Sequence, residues 1–69
     1  MPLNLADAGE ELIIRKVGGT PDVKKHLEDM GFTVGESINI ITELGGNIIV
    51  KVKESRVALS NELARRIMV

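Results

Sequence analysis

The sequence predicts a small, mainly β protein: an antiparallel barrel of about five strands, with one α-helix inserted after the first strand and a short helical turn near the C-terminus. Three observations predict it. Short segments rich in β-branched residues alternate between two faces. Glycine pairs separate them. One segment, opened by Thr20-Pro21, instead carries apolar residues at helical spacing. An open sheet of this size would leave unpaired edges beside Ile13, Ile41 and Ile49, and closing the sheet on itself with the last residues removes that hazard.

Glu11–Val17 reads as the first strand, with Leu12, Ile14 and Lys16 on one face and Ile13, Arg15 and Val17 on the other. Gly18-Gly19 ends it. Thr20 then supplies an N-cap oxygen, Pro21 a preset first turn and Asp22 a charge favourable at a helix start. Val23, Leu27 and Met30 form one apolar stripe, and Gly31 stops the helix. Phe32–Gly35 is a turn, Ser37–Thr42 a strand, and Glu43–Asn47 a hairpin connection whose glycines supply positive φ angles. Ile48–Lys53 continues as a strand with Ile48, Val50 and Val52 inward. Glu54-Ser55 turns the chain, Arg56–Leu59 forms another strand, Ser60 caps a helical turn over Asn61–Arg65, and Ile67–Val69 closes the fold.

A chain of 69 residues has room for one domain, 1–69. A chain of this size buries only about 60% of the surface its unfolded state exposes, so nearly all its apolar residues go into the core. The absence of cysteine excludes disulfides, thiolate metal centres and thiol nucleophiles, and fits a reducing, cytoplasmic setting. A net charge of −1 argues against nucleic acid as a partner, and apolar runs no longer than triplets argue against insertion into a membrane. With one Phe and no Trp or Tyr, stacking platforms and aromatic grooves for proline-rich peptides are excluded too.

The segment Leu27-Glu28-Asp29-Met30-Gly31-Phe32-Thr33-Val34-Gly35 resembles the signature of the FeoA domain family, ferrous-iron transport protein A: Leu, two residues, apolar-Gly-apolar, two residues, Gly. The tail from Arg56 through Glu62-Leu63-Ala64 to Ile67-Met68-Val69 is similar to the family's closing pattern, and Leu3, Leu5, Gly9 and the first strand sit where the family places its opening elements. The likeness covers essentially the whole chain. Val34 departs from it, since many members have proline there. The resemblance implies an SH3-like barrel, cytoplasmic, that assists a ferrous-iron permease of the inner membrane without catalysing a reaction. It also implies similarity to the C-terminal module of metal-dependent repressors, but the chain carries no DNA-binding helix-turn-helix.

His26 is the sole histidine, and helical spacing puts Asp22 and Asp29 on its face. This is a solvated helix face rather than a metal site, because durable transition-metal sites draw on several His or Cys ligands and Lys25 repels a cation. Gly18-Gly19 before a helix start has no Lys-Ser/Thr in P-loop register and reads as an ordinary turn. Ser37, Ser55 and Ser60 sit at turns or strand edges, and Glu10-Glu11 lie in a polar turn, so no catalytic residue, cofactor or metal ligand is assigned. Lys51, Lys53, Arg56, Arg65 and Arg66 cluster late in the sequence as solubilising charge, or as a basic patch for an acidic partner or the inner leaflet of the membrane.

The remaining feature is outward apolarity. If Ile38 and Ile40 face inward, alternation turns Ile41 outward; Ile49 faces out on the next strand, and Leu44 sits at a hairpin tip. Ile41, Leu44 and Ile49 are therefore the expected partner-binding residues, facing the permease or a second copy of the chain. The expected function is accessory or regulatory, by protein contact, in ferrous-iron uptake. The rival readings are a transition-metal-binding regulator working through His26, and a small-barrel nucleic-acid-associated protein.

Overall fold

The computed structural model describes all 69 residues, Met1–Val69, as six strands, two helices and one 3₁₀ turn. In chain order these are the 3₁₀ turn Leu3–Leu5, β1 Glu11–Ile13, β2 Lys16–Val17, α1 Pro21–Asp29, β3 Ser37–Leu44, β4 Asn47–Val52, β5 Ser55–Ser60, α2 Asn61–Ala64 and β6 Ile67–Met68. All pairings are antiparallel. A four-stranded sheet runs β1-β3-β4-β5, and a two-stranded sheet pairs β2 with β6. Met1 and Val69 exchange two hydrogen bonds of 2.8 Å, so the final residues fasten the beginning of the chain.

The expected first strand divides in two, which brings the strands to six. The Ile14 amide still donates to Glu36 O (3.0 Å) beside β3, while the next amide, Arg15, donates to Met68 O (2.7 Å) beside β6. The chain thus passes from one sheet to the other within one residue. The inward phase slips there: Ile14 is buried, and the next buried position is Val17 rather than Lys16. This corner brings the two sheets around one core.

That core is a single cluster of fourteen apolar residues, with Phe32, Leu27, Ile38, Val50 and Ile67 fully enclosed and no polar side chain among them. β4 supplies it by strict alternation, burying Ile48, Val50 and Val52. From α1, Leu27 is buried while Val23 and Met30 pack at the edge of the cluster. Thr20 Oγ1 accepts from the Val23 amide (3.3 Å) at the helix start, and Gly31, at φ +101°, lets the chain leave its end. Thr20→Ala is expected to cost about 1 kcal/mol. In thermal unfolding that appears as a fall of roughly 4–8 °C in Tm for a domain of this size.

Two turns are tighter or earlier than expected. β3 and β4 extend to Leu44 and Asn47, leaving only Gly45-Gly46 (φ +54° and +83°) as a two-residue hairpin turn. Between β4 and β5 the turn is Lys53-Glu54, not Glu54-Ser55, and both residues sit at positive φ, +49° and +66°. Side chains with a Cβ occupy this region at a cost, and Asn-Gly fits such a turn far better. The double variant Lys53→Asn, Glu54→Gly should therefore gain about 1 kcal/mol, read as a higher urea midpoint at unchanged slope. The Lys53–Glu36 ion pair it removes spans 3.9 Å between partly solvated side chains and contributes little.

Candidate interaction surface

The β3–β4 hairpin carries all three expected contact residues. Two successive glycines at positive φ give the hairpin a reversal that matches the twist of its strands. The Asn61 amide, at the start of α2, donates to Gly46 O (3.1 Å) and ties the tip to the body of the barrel. At α2 itself, Ser60 Oγ accepts from the Leu63 amide (3.3 Å). The tip is thus anchored through a capped helix rather than hanging free.

Leu44 is 68% exposed on this anchored tip, opposite Asn47. Ile49 is half-buried and stands opposite Thr42 on β3 and Ala58 on β5. Since Thr42–Ile49 and Leu44–Asn47 are pairs two residues apart, Leu44 and Ile49 share one face as diagonal neighbours. Ile41 is the unpaired residue of a bulge between the pairs Ile40–Val50 and Thr42–Ile49, and it is 38% exposed. The bulge is the feature that sequence reading missed. An isoleucine pair followed by Thr gives no signal for an extra residue, which shows itself only through the register with β4.

Other expected features are distributed differently. Val34, Leu5, Met1 and Ile13 are further exposed apolar residues, and none of them lies on the β3–β4 hairpin. The late basic residues divide among separate elements: Lys53 approaches Glu36, Lys51 faces Arg56 across β4 and β5, and Arg65 and Arg66 follow α2. On α1, His26, Asp22 and Asp29 are exposed, and no three His, Asp or Glu side chains of the chain form a group that can hold a metal ion. No helix is long and apolar enough to cross a membrane.

The family model for the FeoA domain matches residues 1–69. The chain belongs to the FeoA domain family. It is 34% identical over 68 residues, 99% of its length and 83% of the relative's, to a protein of Methanocaldococcus jannaschii named "Putative Fe(2+) transport protein A". Among solved structures, it superposes with a TM-score of 0.92 at 30% identity on an iron uptake regulatory protein, FeoA, covering 100% of this chain and 93% of that one. A zinc-complexed FeoA of Stenotrophomonas maltophilia, described as a prokaryotic SH3 domain protein, gives 0.87 at 23% identity, with 100% and 88% covered. At that identity the likeness establishes the fold, an SH3-like barrel. FeoA proteins are small accessory proteins of transport rather than enzymes, as the resemblance of Leu27–Gly35 and of the closing segment through Glu62-Leu63-Ala64 implied.

Proposed function

We propose that this FeoA-family protein is a cytoplasmic accessory of ferrous-iron uptake that acts by docking on the membrane permease through the β3–β4 hairpin. The observation that supports this most directly is Leu44, a large apolar side chain held in solvent at the end of β3, beside a turn that the Asn61–Gly46 hydrogen bond ties to α2. Backbone already fixed in place loses little conformational freedom on binding, so more of the gain from burying Leu44 against a partner is retained as affinity. Ile41 and Ile49 widen the apolar face around it.

The test is co-expression with the ferrous-iron permease of the same cell, followed by affinity capture in detergent and by sedimentation of the protein alone. Capture of the permease by the native chain and its loss in Leu44→Asp support the proposal. If the native chain captures no permease, docking is refuted; if Leu44→Asp captures it equally well, the hairpin is not the docking face. A self-association that Leu44→Asp abolishes would make a second copy the occupant of this face and refute the permease as its partner.

A further inference from the structure

Away from the hairpin, the pairing of β2 with β6 creates a basic cleft. Lys16 stands opposite Met68, and the Gly18 amide donates to Arg66 O at 2.7 Å, so the glycine pair before α1 is held against the two arginines after α2. Between them lies a cleft of about 330 Å³ lined by Lys16, Gly18, Gly19, Arg65, Arg66 and Met68. Three of its six lining residues are cationic and none is acidic. This concentration does not reflect a basic protein, since the chain as a whole carries −1.

The three cations also lack internal counter-ions. The one ion pair between side chains within 4.0 Å joins Lys53 to Glu36, elsewhere on the surface, so Lys16, Arg65 and Arg66 are free of side-chain carboxylate partners. Bare backbone borders the cleft at Gly19, at φ +103°, where a Cβ would come within 3.2 Å of Val23 Cγ1 and 3.7 Å of Arg66 Cδ. The Gly19 amide has no acceptor in the chain. Only Met68 offers apolar lining. The volume lies at the lower end of small-ligand sites, about 300–1,000 Å³.

We infer that this cleft is a binding site for a phosphate group, carried by a small phosphate ester. Guanidinium groups match phosphate oxygens with paired, charge-assisted hydrogen bonds, and a nearby ammonium adds a point charge. A phosphate monoester also answers the local charge better than a carboxylate, which brings a single negative charge and two oxygens to three cations. The ester is either a soluble phosphorylated metabolite, whose monoester carries close to two negative charges, or a lipid headgroup, whose phosphodiester carries one; both present phosphoryl oxygens to Lys16, Arg65 and Arg66.

The experiment titrates the ¹⁵N-labelled full chain with inorganic pyrophosphate at constant ionic strength, and separately sediments it with vesicles of phosphatidylglycerol or of phosphatidylcholine. Saturable shifts of the Gly18, Gly19 and Arg66 amides are expected. Affinity should fall about tenfold or more in Arg65→Gln, Arg66→Gln, the loss of at least one charge-assisted hydrogen bond. The variant should keep the native Tm, and the control Lys24→Gln, Lys25→Gln on α1 should bind as the native chain does. Phosphatidylglycerol-specific sedimentation displaced by pyrophosphate assigns a lipid headgroup; pyrophosphate binding without sedimentation assigns a soluble ester. Shifts absent from these amides, shifts reproduced by equal ionic strength of sodium chloride, or an affinity unchanged in the arginine variant would overturn the assignment.

Discussion

Phe32→Ala is expected to leave most of the protein unfolded at 37 °C. Phe32 is the chain's only aromatic residue, it is completely enclosed, and it heads the largest buried side chains. Its position is set by the helix end: Gly31 reverses the backbone, and the Phe32 amide donates to Leu27 O at 3.0 Å, which turns the ring back under α1. Truncating a buried Phe costs about 3–5 kcal/mol, through lost burial and the cavity left behind. Stability of about 0.05–0.15 kcal/mol per residue gives a chain of this length only about 3–10 kcal/mol in total. No second core exists to hold the rest, because the fourteen buried residues form one cluster. The far-UV dichroism of Phe32→Ala should therefore show a melting transition shifted by tens of degrees or lost, whereas Phe32→Leu, which keeps most of the volume, retains a cooperative one. A native-like Tm in Phe32→Ala would mean that the ring does not organise the core.

This dependence explains which parts of the fold were legible from residues alone. Alternation in β4 and the stripe Val23-Leu27-Met30 each report a face, and a face is what burial selects. Thr20-Pro21 and Gly31 bracket α1 because caps and positive φ are local requirements, satisfied within a few residues. What failed to show is non-local. The passage of Ile14-Arg15 from one sheet to the other is specified by Glu36 and Met68, far away in sequence, and the Ile41 bulge by the register of β4. The same holds for function. Leu44, Ile41 and Ile49 stand out as apolar residues where a fold gains least from them, and the sequence order makes their proximity foreseeable on a hairpin. The cleft of Lys16, Arg65 and Arg66 joins segments about fifty residues apart through a two-residue strand pair, and nothing in either segment announces the other.

Leu44→Asp is expected to separate binding from folding. At 68% exposure opposite Asn47, the leucine contributes little to the core, so the substitution should change stability by no more than about 0.5 kcal/mol. At a docking face the same change places a charge where an apolar side chain is buried against the partner. A central apolar anchor accounts for about 2 kcal/mol or more of binding, so permease capture should weaken about thirtyfold. Val34→Asp is the matched control: Val34 is 66% exposed but sits in the turn before Gly35, away from the hairpin. It should leave capture unchanged. Ile41→Asp should weaken capture less than Leu44→Asp, because Ile41 is only 38% exposed and the bulge leaves it less surface to offer. The order Leu44, then Ile41, with Val34 silent, is the signature of one localised face. Equal losses at all three would instead point to a general effect of added negative charge, which a matching loss in the neutral Leu44→Ser would rule out.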